Sequence, residues 1–223
     1  MPVTLHTAPA PDLTPEEIAR WHAVPVAVAV DLGRDAGQID PAIRPLRPAG
    51  QQPRLFGQAV TVRCEPPDFG AVLHALDVIQ PGQVLVIDAG GHRETAMIGD
   101  ILSGHLRQKG VAGLVCDGAV RDIGTLGLWD DFAVFSRWIT PRGPSGADRG
   151  AVNLPVVIGG CLVQPGDLVI GDDDGLVALT PHVVRSRIAD AEAKLAREAD
   201  WTRALAKGQT AAHVFGLPAP LRA

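Results

Sequence analysis

The sequence contains no tyrosine, and aromatic residues make up only 4% of its 223 residues. Proteins that stack nucleic-acid bases need aromatic side chains, so a base-stacking surface is not expected. The chain also has no surplus of positive charge, since its formal net charge is −5 at pH 7. Because phosphate binding depends on lysine and arginine, we expect no nucleic acid among the partners of this protein.

Long apolar runs and paired cysteines are missing as well. No apolar run approaches the roughly 20 residues that span a bilayer, so we expect no membrane segment. The first residues lack a basic stretch followed by an apolar one, which predicts a cytoplasmic protein. Cys64, Cys116 and Cys161 stand singly in or beside apolar runs with no CxxC pair, a pattern typical of buried, reduced thiols.

The stretch from residue 84 to 122 has the clearest pattern. Two apolar runs, Val84–Ile87 and Gly113–Cys116, each end in a turn rich in Asp and Gly. Apolar residues recur between them at helical spacing: Met97, Ile98, Ile101, Leu102 and Leu106. Strand, helix and strand in this order predict a parallel crossover unit. Ligands bind where the strands of such sheets end, so we expect the functional site at Gly99-Asp100 and Arg121-Asp122.

The chain before this stretch supplies flanking elements. Thr14 followed by Pro15 and Glu17 predicts a capped helix that runs to about residue 22. The alternating Val and Ala of residues 25–30 are compatible with a strand or with a buried helix. Residues 57–64 predict a strand, and residues 71–78 predict a helix.

The chain after this stretch has short strands and then a helix. A short helical turn is predicted over residues 123–128, and strands are predicted over 133–135, 154–158, 168–170 and 176–179. The dense turns among the last three indicate compact β structure, a barrel or sandwich. Thr180-Pro181 starts a helix with one apolar stripe, which can dock on its own domain or on a neighbouring subunit: Val184, Ile188, Ala191 and Leu195. We predict one α/β domain over residues 1–223, with a central β core flanked by helices and residues 181–207 as a C-terminal helical arm.

The residues at the two strand ends suit an anionic ligand and a metal ion. Asp100 would open a helix whose first amides, at Ile101 and Leu102, point at a carboxylate. Arg121 provides a guanidinium fork that matches a carboxylate or keto acid. Asp100 and Asp122 provide hard oxygen ligands for Mg²⁺ or Mn²⁺. The alternative is structural, with Asp100 as a helix cap and Arg121–Asp122 as an ion pair.

Other motifs give weaker signals. Asp172-Asp173-Asp174 could touch a metal, but Asp and Gly at this spacing are what a tight turn requires. The glycines of residues 88–91 follow a strand without the GxGxxG of a nucleotide site. His92 and His105 are the histidines nearest the candidate site, but no HxxxH or HxH pair indicates zinc. No GxSxG motif supports a serine nucleophile.

Several segments together resemble the RraA-like family, which includes class II 4-hydroxy-4-methyl-2-oxoglutarate/4-carboxy-4-hydroxy-2-oxoadipate aldolases and the ribonuclease regulator RraA. The matching segments are GQAVTVR (57–63), QPGQVLVIDAGG (80–91), GLVCDGAVRD (113–122), TP (140–141) and LPVVIGGCLVQPGDLVIGDDDGLVAL (154–179). The resemblance covers about residues 55–180. It implies a swivelling-domain type of β core flanked by helices, in a homotrimer or a homohexamer with sites at subunit boundaries.

The resemblance also implies roles for the site residues. Arg121 would bind the pyruvyl group and stabilise its enolate, with Gly99 and the amides of Ile101 and Leu102 at the substrate carboxylate. Asp122 would be the direct metal ligand, and Asp100 would act through a metal-bound water and in proton transfer. A Glu from the last helix of a neighbouring subunit, Glu198 or alternatively Glu192, would approach the metal through water.

The function implied is a divalent-metal-dependent pyruvate aldolase. It would cleave a 4-hydroxy-2-oxo acid of the 4-hydroxy-4-methyl-2-oxoglutarate type and would decarboxylate oxaloacetate as a side reaction. The alternatives are a non-enzymatic regulator that binds a ribonuclease or another protein, and a related lyase for a different oxo acid. The chain departs from the family at Asp68-Phe69, where an Asn is frequent, and at Pro25–Val30, which replaces a Ser/Thr-rich segment. These differences concern the distal part of the substrate-binding pocket and leave the fold unchanged.

Overall fold

The computed structural model describes residues 2–10, 12–33 and 37–221. Within these residues the strands are β1 (Thr4–Leu5), β2 (Arg44–Pro45), β3 (Leu55–Arg63), β4 (Val84–Ile98), β5 (Gly113–Val120), β6 (Ala133–Ile139), β7 (Ala151–Val152), β8 (Val156–Ile158), β9 (Cys161–Val163), β10 (Leu168–Asp172) and β11 (Gly175–Leu179). The helices are α1 (Pro15–Trp21), α2 (Val26–Val30), α3 (Gly70–Val78), α4 (Asp100–Gln108), α5 (Ile123–Leu126), α6 (Pro181–Ala206) and α7 (Ala211–Val214).

Four parallel strands form the centre of the main sheet, in the order β3, β4, β5 and β6. The first half of β3 pairs antiparallel with β10, which continues to β11. Short strands extend the two edges. The dense turns after residue 150 belong to two antiparallel pairs, β8–β9 and β10–β11, rather than to further crossovers. A large sheet flanked by helices is the mixed α/β fold that was predicted.

Side chains alternate between the two faces of the sheet along each strand, so the core is divided into one part on each face. Leu85 and Ile87 of β4 face α3 and α4, whereas Val84 and Val86 face the β8–β9 hairpin. A third cluster lies under α1, α2 and α6, which pack on β10 and β11. Since parallel strands are buried on both faces, their sequences are almost continuously apolar, which is why they were recognisable.

Local signals at the helix starts were accurate. Thr14 and Glu17 form a reciprocal capping box, with the Thr14 hydroxyl accepting the Glu17 N–H and the Glu17 carboxylate accepting the Thr14 N–H. The undecided residues 25–30 form the buried helix α2, whose first N–H, at Val26, donates to the Asp172 carboxylate at 2.9 Å. The apolar stripe of α6 packs on its own chain, where Val184 and Ile188 join the third core cluster.

The prediction that Met97 and Ile98 belong to the crossover helix was wrong. Their spacing suggested the crossover helix, but both lie in β4, which continues past residues 88–91 with irregular pairing to β5. Gly90 and Gly91 adopt positive φ angles of 60° and 72° there, so a strand with local irregularities replaces the turn that was expected. The helix begins only at Asp100.

The three cysteines are free and buried, as their sequence context predicted. Burial, reinforced by the nearby Asp88 and Asp68 carboxylates, raises the pKa of the Cys64 thiol to about 12. Desolvation also raises the pKa of Cys116. Neither thiol has the lowered pKa that a nucleophilic cysteine needs, so they act as core side chains.

Asp167 titrates in an unusual range because it is buried in the turn before β10. Burial raises the pKa of its carboxyl to about 6, although the Gln164 N–H donates to it at 2.8 Å and works in the opposite direction. The folded protein therefore binds a proton between about pH 4 and pH 6 that the unfolded chain releases. Stability from this group is present below about pH 4 and is lost as the pH rises through about 6.

We expect Asp167→Asn to stabilise the protein at pH 7.5, because an amide occupies the buried position without a charge. The gain is at most roughly 3 kcal/mol. Thermal unfolding followed by circular dichroism from pH 4 to 7.5 should give a flatter dependence of melting temperature on pH. Asp174→Asn, an exposed change in the β10–β11 turn, should keep the original slope. An unchanged slope in Asp167→Asn would contradict the assignment.

Candidate active site

The two predicted polar pairs lie together at the carboxyl ends of adjacent parallel strands. β4 and β5 pair up to their last residues, so the segments that follow them emerge side by side. Gly99 caps α4 after β4, and Arg121-Asp122 follows β5. The Arg121 backbone N–H donates to the Ile98 carbonyl at 3.1 Å and joins the two segments. The spacing argument thus correctly predicted that these residues are neighbours.

Asp122 is held in a conformation that is uncommon for an aspartate. Its φ of 59° and ψ of 35° are left-handed, and such strain in non-glycine residues clusters at functional sites. Its Oδ2 accepts the backbone N–H of Asp100 at 3.2 Å and lies 3.3 Å from Arg121 Nε. Its carbonyl accepts the N–H groups of Thr125 and Leu126 in the first turn of α5.

Two glycines allow this close packing. A Cβ on Gly99 would lie 2.2 Å from Asp122 Oδ2 and 2.9 Å from Arg121 Cγ. A Cβ on Gly143 would lie 2.5 Å from Arg121 Nη1. At Gly99 a side chain would displace both members of the Arg121–Asp122 pair, so this position requires glycine, whereas at Gly143 only the flexible end of Arg121 would have to move.

The start of α4 supplies backbone donors. Gly99 is the cap residue and has no side chain to accept N–H groups, and the first intrahelical bond runs from Ser103 N to Gly99 O. The N–H groups of Ile101 and Leu102 therefore have no partner within the helix. Together with the helix dipole they favour an anion at this end of α4.

A cavity of about 310 Å³ adjoins these groups. Its polar side chains are Asp100, Arg121 and Asp122. The remaining wall is made of apolar side chains and glycines: Phe69, Leu73, Met97, Ile98, Gly99, Ile101, Leu102, Gly143 and Pro144. The charged groups thus share one cavity, as an active site requires, but their roles remain predictions.

One wall of the cavity depends on Asp68, whose role was not predicted from the sequence. Asp68 is buried, and its carboxylate accepts the backbone N–H groups of Gly70, Asp148 and Arg149 at 2.8, 3.2 and 3.0 Å. It therefore holds the segment that contains Gly143 and Pro144 against Phe69. The Asp-x-Gly pattern before a helix was the local signal that could have indicated this turn.

The hydrogen bonds keep Asp68 charged in spite of its burial. Desolvation acts to raise the pKa of Asp68, but the N–H groups of Gly70, Arg149 and Asp148 outweigh it and lower the pKa to about 2. Arg149 Nε lies 3.7 Å away and adds a favourable charge. The anchor of the cavity wall is thus an ionised carboxylate throughout the neutral range.

The donor set fits a hard cation that keeps most of its water. Asp100 and Asp122 offer carboxylate oxygens, and Mg²⁺ or Mn²⁺ commonly binds one or two carboxylates with several waters. In the part of the chain that the structure describes, no group of three or more His, Cys, Asp or Glu side chains could hold a metal ion. A metal site whose ligands all come from protein side chains, such as a structural zinc site, therefore does not fit these residues.

Neither glutamate suggested for the last helix lines the cavity of its own chain. Glu192 binds Arg20 of α1 in two hydrogen bonds of 2.9 and 2.7 Å, which occupy both of its oxygens. Glu198 pairs with Lys194 at 2.8 Å, and Lys194 also contacts Asp31. The Glu198 carboxylate thus has fewer side-chain partners within its own chain than the Glu192 carboxylate, and its contribution to a neighbouring site remains a prediction.

The weaker candidates have structural roles. His92 Nε2 accepts the N–H of Thr95 at 3.1 Å within the irregular part of β4. Asp172 and Asp173 accept backbone N–H groups of Val26 and Gly50 at 2.9 and 2.8 Å. The acidic run therefore stabilises a tight turn and its neighbours. In residues 2–10, 12–33 and 37–221 no helix combines the length and apolarity needed to span a membrane.

Comparison with known proteins identifies the family of this chain. A sequence profile described as RraA-like, Aldolase/RraA, matches residues 25–178. The chain belongs to the RraA-like family. A protein of Halalkalibacterium halodurans named "Putative 4-hydroxy-4-methyl-2-oxoglutarate aldolase" is 32% identical to this RraA-like chain over 170 residues, or 76% of this chain and 80% of the relative.

Solved structures of RraA-like shape confirm the fold. An uncharacterized protein from Pseudomonas syringae is 26% identical and has a TM-score of 0.79, over 91% of this chain and 98% of that one. Streptomyces coelicolor RraAS2, described as an unusual member of the RNase ES inhibitor RraA protein family, is 27% identical with a TM-score of 0.74, over 87% and 99% of the two chains. The predicted family and fold are therefore confirmed, and the names of the relatives include a putative aldolase and a member of an RNase inhibitor family.

Proposed function

We propose that this protein is a divalent-metal-dependent lyase that cleaves a 4-hydroxy-2-oxo acid and releases pyruvate. The observation that carries the proposal is the shared cavity of Arg121, Asp100 and Asp122 at the start of α4. A guanidinium, two carboxylates and free helix amides are the groups that an oxo acid and a hard cation require. The name of the Halalkalibacterium relative supports the same reaction.

The pyruvyl end of the substrate would lie between α4 and Arg121. The amides of Ile101 and Leu102 would take its carboxylate, because the helix N-terminus favours an anion. Arg121 would donate to the keto oxygen and stabilise the negative charge that develops on it. The Asp122 carboxylate, 3.3 Å from Arg121 Nε, would help to hold the guanidinium in this orientation.

Asp122 would hold the cation directly, and Asp100 would hold it through water, with Glu198 of a neighbouring subunit as a third, outer group. When bound, the cation would act as a Lewis acid that polarises the keto group. Glu198 does not line the cavity of its own chain, so it would have to come from a neighbouring subunit. The protein would therefore form a homotrimer or a homohexamer.

The bond between C3 and C4 breaks in this reaction. The C4 hydroxyl loses a proton and becomes a carbonyl, the electron pair of the broken bond enters the pyruvate enolate, and C3 then takes up a proton to give pyruvate. Arg121 stabilises the enolate charge, and Asp100 is the carboxylate available to move the proton. Oxaloacetate decarboxylation would share the same enolate, with CO₂ as the leaving group.

A Schiff-base route has no support in this chain. The sequence has three lysines, Lys109, Lys194 and Lys207, and none of them lines the cavity. Lys109 donates to the Leu76 carbonyl, and Lys194 is paired with Glu198. A covalent aldolase needs a desolvated amine at the substrate carbonyl, so metal-assisted cleavage is the better proposal.

Regulation of a ribonuclease is the second candidate function. It is favoured by the similarity to the Streptomyces protein, which is described as a member of an RNase inhibitor family. Such a protein needs a binding surface but no enolate chemistry. The two candidates therefore differ in one reaction that requires only pyruvate, the exchange of its methyl protons with solvent.

The deciding experiment is proton NMR of pyruvate in D₂O with the purified protein. We expect loss of the methyl signal with Mg²⁺ or Mn²⁺ and at least a roughly tenfold slower rate with EDTA, restored by added metal. Release of pyruvate from oxaloacetate, coupled to lactate dehydrogenase, should follow the same metal dependence. If neither reaction exceeds the protein-free rate with either metal, the aldolase proposal is wrong and the regulator becomes the better candidate.

A further inference from the structure

The loop of residues 140–150 lies directly against the Arg121 guanidinium. A Cβ on Gly143 would be only 2.5 Å from Arg121 Nη1, so the backbone of Gly143 packs against this end of the side chain. The same guanidinium has the Asp122 carboxylate 3.3 Å from its Nε. An arginine side chain has many rotamers, and such contacts decide which of them is populated. The position of the loop therefore bears on where Arg121 can donate.

The loop reaches Arg121 through a short bridge, Gly143-Pro144, which lines the cavity. Within the described ranges, neither residue of the bridge makes a hydrogen bond of its own. On its near side the Arg142 carbonyl accepts the Ala96 N–H at 2.8 Å. On its far side the Ser145 N–H donates to the Pro67 carbonyl at 2.8 Å. The bridge is therefore placed by its two ends.

The buried Asp68 carboxylate completes the far end. Asp68 is only 1% exposed, and it accepts the N–H groups of Asp148 and Arg149 from the loop as well as that of Gly70. Gly146 passes so close that a Cβ there would lie 2.5 Å from Asp68 Oδ2. Hydrogen bonds to an ionised acceptor are stronger than those to a neutral one. One buried side chain thus attaches the loop to the start of α3.

We propose that Asp68 is a positioning residue for Arg121 and acts through the backbone of Gly143. The carboxylate fixes the far end of the bridge, the bridge lies against the guanidinium, and the guanidinium is kept where it can donate to the keto oxygen. Asp68 itself does not line the cavity. The inference rests on the role of Arg121 in the proposed aldol cleavage, in which a donor that is already in place stabilises the enolate.

Asp68→Asn should release this end of the bridge, because an amide nitrogen cannot accept an N–H group. We expect kcat for exchange of the pyruvate methyl protons to fall at least roughly tenfold, with a smaller rise in KM, since Arg121 acts mainly as the enolate forms. Mn²⁺ affinity in isothermal titration should stay within about threefold, because the Asp100 N–H and the first turn of α5 hold Asp122 independently of the loop. General loss of structure would reduce both quantities together.

Two further variants test the links separately. Gly143→Ala keeps Asp68 and its hydrogen bonds but places a Cβ 2.5 Å from Arg121 Nη1, so it should lower kcat to a similar extent without lowering the melting temperature. Arg149→Gln is the matched control. It removes the guanidinium 3.7 Å from Asp68 and keeps the backbone N–H that Asp68 accepts, so kcat should stay within about threefold of the wild type.

A signal from Arg121 itself separates this inference from the proposed function. Its Nε–Hε resonance in proton–nitrogen correlation spectra, identified by its absence in Arg121→Lys, should move in Asp68→Asn and Gly143→Ala and stay in place in Arg149→Gln. Movement without proton exchange by the wild type would keep the positioning role and remove the aldolase proposal.

The opposite outcomes are equally distinct. An unmoved resonance in both Asp68→Asn and Gly143→Ala would overturn the inference whether or not the wild type exchanges protons. So would wild-type kcat in both variants of an active enzyme, and the aldolase proposal would then stand alone. Should Asp68→Asn fail to fold, as judged by circular dichroism, Gly143→Ala still decides the question.

Discussion

Asp122→Asn is expected to lower kcat/KM for pyruvate release by roughly 1,000-fold. The amide removes the negative charge that would hold the cation directly. Asparagine is the appropriate replacement because it tolerates the left-handed φ of 59° at this position, where alanine would add backbone strain. The loss can then be attributed to the missing charge rather than to a displaced strand end.

Two measurements decide this prediction. Isothermal titration with Mg²⁺ or Mn²⁺ should show binding to the wild type that Asp122→Asn lacks, and steady-state kinetics should show the loss of turnover. Asp77→Asn, which removes an exposed carboxylate on α3 outside the cavity, should behave as the wild type in both. Metal binding and turnover within a few-fold of the wild type in Asp122→Asn would show that this carboxylate is not the ligand.

Arg121→Lys is expected to reduce kcat/KM by at least roughly 100-fold even though the charge is kept. A guanidinium donates in a fixed plane and can meet the keto oxygen while its Nε stays 3.3 Å from Asp122. An ammonium is a point charge without this fork. Because the interaction strengthens as the enolate forms, kcat should fall more than KM rises.

The control for this change is Arg142→Lys, an exposed substitution of the same type that lies outside the cavity. It should leave both kinetic constants within about twofold of the wild type. Circular dichroism and size-exclusion chromatography should show the same fold and assembly for all three proteins. Retained activity in Arg121→Lys would mean that charge alone, without the planar fork, is sufficient at this position.

Much of the fold was predictable because its signals are local. The capping box of Thr14 and Glu17 involves residues three apart, and the buried runs of β4 and β5 are continuous in sequence. The neighbourhood of Asp100 and Arg121-Asp122 was predictable for a related reason. A strand, a helix and a parallel strand return the chain to the same sheet edge, so the ends of the two strands must be adjacent.

Where the periodicity of apolar residues was ambiguous, the prediction was wrong at one place and left two elements open at another. Met97 and Ile98 fit the helical spacing of Ile101 and Leu102, but the strand continues through them because the irregular segment after residue 88 rejoins β5. Residues 25–30 alternate in a way that suits either element, and the tertiary packing on β10 and β11 decided for the helix α2. A pattern of apolar residues records burial, and burial alone does not choose between a short strand and a short helix.

The sequence by itself determined the family, the mixed α/β fold and the proximity of Asp100 to Arg121 and Asp122, since each depends on short motifs or on one crossover. Only the tertiary structure decided the shape and polarity of the cavity. Its wall joins Phe69 and Leu73 to Pro144 through the buried carboxylate of Asp68, which holds backbone about 80 residues further along the chain. Such contacts follow from how distant segments pack, and no local pattern encodes which distant segment a buried carboxylate will bind.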